Sequence, residues 1–430
     1  MARPQQVRGQ VKGGPDPLGT PARRAALRLL DAVLRRGEAL EAALPMATRA
    51  LHGGPDRGLA HAIAAETLRR LPDLDALIDS ATRQRLPDDA KARFALRIAL
   101  VQALSLGTPP HAAIATVLPL VDGGPRKLVH GVFGTLIRGE AALPAVPTLP
   151  AAVAERWRAA WGEEMVEAAA RAIAAPPPID LSLRDPDWDP IDAPSLAPAH
   201  RRVPSGTDIA ALPGYDEGAF WVQDLAASLP ARLLGHGDGT ALDLCAAPGG
   251  KTLQLAAAGW RVTAVDASES RAARLRDNRA RMALPFDIAI ADVLDWQPDA
   301  PAPAVLVDAP CSATGIFRRH PDVLHRAHPG VVADMAQVQA RILSRAADWV
   351  APGGTLVYAT CSLEPAEGED QLDRLLAARA DFTLAPPVAG ELPPGIPTTD
   401  RGWVRTLPGT LEEAGGCDGF FIARVRRASA

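Results

Sequence analysis

The chain has 430 residues, is 47% hydrophobic and 22% charged, and carries a formal net charge of −4. That is ordinary globular composition with length for two or three domains, and no apolar run approaches the roughly 18 residues that a membrane-spanning helix needs. The four cysteines (Cys245, Cys311, Cys361 and Cys417) are spread singly, which excludes a disulfide framework and thiolate metal spacing and suits a reducing cytoplasm. The polar, Gly/Pro-rich N-terminus carries no apolar secretory segment. Charge is unevenly placed. Residues 1–150 hold 20 Lys and Arg against 13 Asp and Glu, while the remainder holds 26 against 37. A basic part joined to an acidic part fits a polyanion partner, although solvated Arg-rich helix faces give the same count.

Residues 1–17 read as a disordered tail. From Thr20-Pro21, an N-cap followed by Pro in the first turn, the pattern becomes helical. Ala26, Leu29, Leu30, Val33 and Leu34 recur at helical spacing. Further helices are expected over 57–70, 74–84, 88–106, 111–120 and 124–138, which makes residues 18–140 an all-helical domain. Residues 141–238 read as a linker and a small α+β connector. Its helix over 151–175 carries Trp157 and Trp161 as a packing stripe. From Gly239 strands (240–246, 261–266, 287–292, 303–308, 354–360) alternate with helices (250–258, 268–282, 331–350). That alternation argues a doubly wound, mostly parallel α/β sheet over 239–430. Runs at 403–407 and 419–425 are expected to add antiparallel edge strands.

Four segments of this last domain carry chemistry. Cys245-Ala246-Ala247-Pro248-Gly249-Gly250-Lys251 joins the first strand to its helix, where glycines admit a ligand and the helix N-terminus offers free N–H groups. No glycine precedes Gly250 by five positions, so a phosphate-cradling loop is disfavoured. Asp266 and Asp292 end the next two strands, where an acid can take ribose hydroxyls or an adenine amino group. S-adenosylmethionine, with ribose and adenine but no phosphate, fits best. Asp308-Ala309-Pro310-Cys311-Ser312 and Thr360-Cys361-Ser362 each follow an apolar strand, so two thiols are expected at neighbouring strand tips. Asp308 would face the reactive end of the cofactor and N3 of a cytosine. Arg318-Arg319-His320 follows the Cys311 loop and is expected to contact RNA. Methyl transfer to C5 of a pyrimidine needs such a set, because C5 becomes nucleophilic only after a thiolate adds at C6. No His or Cys cluster suggests a metal, and Cys245 and Cys417 read as structural.

At these motifs, and at Phe220-Trp221-Val222-Gln223-Asp224, the chain resembles the RNA (cytosine-5) methyltransferase family, in particular its bacterial small-subunit (16S) rRNA group with a NusB-like N-terminal domain. The resemblance implies a Rossmann-like class I methyltransferase core with a mostly parallel seven-stranded sheet, S-adenosylmethionine as cofactor, and small-subunit rRNA as partner of a cytoplasmic, monomeric enzyme. It further implies that Cys361 attacks C6 and that Cys311 assists release. Cys245–Lys251, Asp266, Asp292 and Asp308 would hold the cofactor. Two other readings stay open on the sequence: a DNA cytosine-5 methyltransferase using Cys311 as nucleophile, and a non-catalytic RNA-binding assembly factor on the same fold.

Overall fold

The structure, a computed structural model, describes residues 17–188 and 190–429. All of the expected tail but Pro17 therefore lies outside the described residues. Contacts divide the chain after Thr148.

The first unit is helical: α1 (Thr20–Arg36), α2 (Leu40–Thr48), α3 (Gly54–Arg69), α4 (Leu71–Ser80), α5 (Lys91–Leu104), α6 (Pro110–Val117) and α7 (Gly123–Arg138). Leu29, Leu30 and Val33 of α1 pack with Leu96, Ile98 and Leu100 of α5 in one apolar core. Buried charges in such a core must be paired. Arg97, on the buried α5, forms a bidentate pair with Asp75 at 2.7 and 2.8 Å. Helix α2 was not foreseen, because Pro45 lies inside it and proline normally interrupts a helix.

The second unit opens with α8 (Ala151–Trp161) and α9 (Glu163–Ala172). The single helix expected over 151–175 is broken at Gly162, whose φ of 85° favours glycine. A three-stranded antiparallel sheet follows, built from β1 (Ile179–Leu183), β2 (His200–Val203) and β3 (Phe220–Val222) in the order β2-β1-β3. Then comes α10 (Leu225–Leu234), capped by the Asp224 side chain accepting the Ala226 N–H.

The alternating region consists of β4 (Thr240–Leu244), α11 (Gly250–Ala257), β5 (Arg261–Asp266), α12 (Glu269–Met282), β6 (Asp287–Ile290), β7 (Ala302–Asp308), α13 (Val323–Arg326), α14 (Pro329–Asp348), β8 (Val350–Thr360), α15 (Glu369–Ala378), β9 (Phe382–Leu384), β10 (Val404–Thr406) and β11 (Phe420–Arg427). Seven strands run in the order β10-β11-β8-β7-β4-β5-β6, and the short β9 pairs with β11 as an eighth. Strands β4 to β8 are mutually parallel, and β11 is antiparallel to each of its neighbours. This is a Rossmann-like class I methyltransferase fold. β11 is not an edge strand: Phe420–Ala423 are buried, and a run with apolar residues on both faces belongs inside a sheet. The order reverses at β4, so the crevice at the carboxyl ends of β4, β5 and β7 is where a ligand belongs. Among the described residues no helix is long and apolar enough to cross a membrane.

Candidate active site

The loop leaving β4 turns sharply. Cys245 has φ 63° and Gly249 has φ 107°. A Cβ on Gly249 would also lie 2.4 Å from Leu275 Cδ1, so glycine is needed there on both counts. The turn leaves the first N–H groups of α11 facing the crevice. Asp266, buried at the tip of β5, accepts the Ala247 N–H at 3.1 Å and the Ser268 N–H at 2.9 Å, and pairs with Arg271 at 3.0 Å. It thereby ties the loop to the second strand. Asp292 does not end a strand as expected. β6 stops at Ile290, and the exposed Asp292 closes the following turn by accepting the Leu294 N–H at 2.8 Å.

Lys251 Nζ donates to Asp308 Oδ2 at 2.7 Å and lies 5.4 Å from the centre of the Phe420 ring. Burial works against its charge, but Asp308 and then Cys361 outweigh it, and the lysine stays protonated. Beside this pair opens a cleft of about 640 Å³ lined by residues including Pro248, Gly250, Lys251, Asp308, Arg319 and His320.

Cys311 and Cys361 leave the adjacent strands β7 and β8, where Asp308 pairs in register with Ala359. Their sulfurs are 3.4 Å apart. The hydrogen bond to Cys361, together with burial, pushes the Cys311 thiol well above its ordinary range. Burial also raises the Cys245 thiol, to about 12, and raises that of Cys417. Cys245 and Cys417, held protonated by burial, are unreactive and structural.

The two cysteine loops are tightly joined. Gly315 N–H donates to the Cys361 carbonyl at 2.9 Å, and Leu363 N–H donates to the Thr314 hydroxyl at 2.9 Å. The predicted Trp stripe also braces the Cys361 loop. Trp161 Nε1 donates to the Leu363 carbonyl at 2.8 Å, and Trp157 Nε1 donates to Glu364 at 3.1 Å. One buried acid that the sequence reading missed, Glu367, lies between the loops. Nothing local to its sequence marks it, since its partners come from three separate segments.

Arg318 requires a correction. It is buried, and its guanidinium donates to Asp418 at 3.1 Å, Asp224 at 3.4 Å and the Gly415 carbonyl at 2.9 Å. A side chain enclosed in this way cannot reach RNA phosphate. Arg319 shares the same two acids, with Asp224 at 2.8 Å, but it also lines the cleft with His320.

The donor set suits a nucleoside better than a nucleotide. The lysine that would otherwise cradle phosphate is held by Asp308, while the backbone at the start of α11, where Gly250 lines the cleft, remains for a nucleoside. Among the described residues no group of three or more His, Cys, Asp or Glu could hold a metal ion. Fold and site thus define an S-adenosylmethionine-dependent methyltransferase. A family model for 16S rRNA methyltransferase RsmB/F matches residues 231–426, and one for the NusB family matches residues 20–133. The ribosomal RNA small subunit methyltransferase B of Xylella fastidiosa is 35% identical over 434 residues, covering 95% of this chain and 98% of that protein. The protein of the same name from Cronobacter sakazakii is 30% identical over 438 residues, covering 94% and 98%. The crystal structure of PH0851 superposes with a TM-score of 0.72 at 21% identity, over 95% of this chain and 99% of that one. NSun6 from Pyrococcus horikoshii, solved with SFG, gives 0.55 at 17% identity over 65% and 99%. The chain belongs to the ribosomal RNA small subunit methyltransferase B family.

Proposed function

We propose that the protein methylates C5 of a cytosine in small-subunit rRNA through a covalent bond between Cys361 and C6 of the base. The observation that carries this reading is the pair of thiols 3.4 Å apart at the tips of neighbouring parallel strands, beside the Lys251–Asp308 pair. Cys245–Lys251, Asp266, Asp292 and Asp308 would hold S-adenosylmethionine, which supplies an electrophilic methyl group when bound.

The target base is flipped into the cleft at a cost of about a few kcal/mol. Cys361 adds to C6 as thiolate, next to the Lys251 ammonium. The Lys251–Asp308 pair faces N3 and supplies a hydrogen there as the thiolate adds, and C5 gains enamine character. Once C5 carries the methyl group, loss of the C5 proton to a base and cleavage of the C6–S bond release Cys361 as thiolate, assisted by Cys311. The raised proton affinity of Cys311 makes it a poor thiolate at neutral pH.

Residues 18–140 act as the RNA-binding domain, supplying phosphate contacts and register rather than base readout. Residues 141–238 form the connector and residues 239–430 the catalytic domain of a cytoplasmic monomer. Arg319, His320, Asn278 and Arg281 line the cleft, and the exposed Arg274 stands one turn before Asn278 on α12. These residues make up the RNA path in the core.

The test is RNA carrying 5-fluorocytosine at the target. Fluorine at C5 cannot leave as a proton, so the adduct persists. Peptide mapping is expected to find the base on Cys361. Attachment to Cys311, or no adduct with active enzyme, would overturn the reading.

A further inference from the structure

We propose that Glu367 is a positioning residue for both thiols, its buried carboxylate tying the Cys311 loop to the Cys361 loop. The catalytic consequence rests on the two-thiol reading above; the geometry does not. Glu367 has no exposed surface and ends the 3-10 turn Pro365–Glu367 that follows the Cys361 loop. One carboxylate oxygen accepts the Ser312 N–H at 2.8 Å and Gln339 Nε2 at 3.1 Å. The other accepts the Ser312 hydroxyl at 2.5 Å and the Ser362 hydroxyl.

Ser312 and Ser362 directly follow the two cysteines. The residues preceding them are held by the same cluster. Gln339 Nε2 also donates to the carbonyl of Pro310 at 2.8 Å, and the Thr360 hydroxyl donates to the Glu367 carbonyl at 3.3 Å. Each cysteine is thus gripped on both sides. A carboxylate is an acceptor only, so it fixes both serine hydroxyls as donors aimed at itself. None of these four donors is a cation, and burying a carboxylate without one is costly. Its use here is geometric: one rigid acceptor sets the separation of two loops that come from different strands.

The experiment compares full-length wild type, Glu367→Ala and Glu367→Gln in two readouts. The first is the rate at which hydrogen peroxide converts Cys311 and Cys361 to a disulfide, the thiols giving up their hydrogens as peroxide is reduced to water. It is followed by mass spectrometry of unreduced digests and needs no catalysis. The second is kcat per S-adenosylmethionine-binding site, with KM for rRNA. In Glu367→Ala the disulfide is expected to form at least about tenfold more slowly and kcat per site to fall about 10²-fold, the size expected for misplacement of a reacting group. KM and cofactor affinity should stay within about twofold.

Glu367→Gln should restore most of both, because its amide oxygen still accepts the Ser312 N–H and its amide nitrogen can donate to the hydroxyls. Should Glu367→Ala not fold, Ser312→Ala and Ser362→Ala each remove one arm and must show the same loss. Wild-type disulfide rate or wild-type kcat per site in Glu367→Ala, whatever its melting temperature, overturns the proposal. The 5-fluorocytosine adduct reports separately on which thiol attacks.

Discussion

Lys251 and Asp308 form an ion pair at 2.7 Å between the first turn of α11 and the end of β7, which brings the cofactor loop and the Cys311 loop to one point. The lysine's proton affinity is raised, so its charge and the stability it contributes are fully present below the unfolded-state value of 10.5 and are lost only as pH climbs through the higher folded-state value. Lys251→Met is expected to leave Asp308 without its cation and to cut kcat by about 10²–10³-fold, as loss of a preorganised charge partner does. Methyl transfer at saturating rRNA and cofactor checks this, and near-wild-type kcat would remove the pair from the chemistry.

Gly315 is where the two cysteine loops meet the strand entry of β11. Gly419 N–H donates to its carbonyl at 2.9 Å, and a Cβ built on it would lie 1.9 Å from the Gly419 oxygen and 2.9 Å from the Cys361 oxygen. The obstacles are backbone atoms, so relief requires the loops to move apart. Gly315→Ala is expected to cost about 1–3 kcal/mol of stability and to lower kcat further than Gly→Ala changes at open surface glycines such as Gly58. Urea denaturation and initial rates measure both effects.

The neighbouring arginines should separate fold from binding. Arg318→Ala leaves the buried Asp418 and Asp224 short of a partner, and about 3–5 kcal/mol of destabilisation is expected. Arg274→Glu lies on the exposed face of α12. It should leave melting unchanged, weaken rRNA binding, and reduce the slope of log affinity against log salt by about 0.7 for each lost phosphate contact. An unchanged salt slope in Arg274→Glu would take α12 out of the RNA path.

Asp243 sits beneath the cofactor loop, fully buried, with Thr252 donating to one oxygen at 2.5 Å and nothing to the other. Burial raises its carboxyl to about 7 from an ordinary 3.8. The folded protein therefore holds a proton that the unfolded chain releases, so this group's contribution falls as pH rises between about 4 and 7 and stays low above. Asp243→Asn should accordingly stabilise the protein at pH 8, by about 2–4 °C for each kcal/mol relieved, and change little at pH 4. Equal melting shifts at both pH values would contradict the assignment.

Local pattern carried much of this architecture. The strands β4 to β8 are apolar runs bounded by Gly, Pro or Asp, and both cysteines follow such runs. What escaped was non-local or locally contradictory. Helices α2 and α10, which the sequence pattern did not assign, contain Pro45 and Pro230, and proline is not expected inside a helix. Arg318 and Arg319 looked free because their acids, Asp224 and Asp418, lie 94 to 100 positions away. Glu367 could not be singled out, since only folding brings Ser312 and Gln339 beside it.

The central claim is tested most directly by transfer of labelled methyl from S-adenosylmethionine to small-subunit rRNA lacking its modifications, with wild type, Cys361→Ala and Cys311→Ala side by side and a denaturing gel for protein–RNA adducts. Cys361→Ala should transfer no methyl, and Cys311→Ala should accumulate an adduct it cannot release. Methylation by Cys361→Ala would show that Cys361 is not the nucleophile.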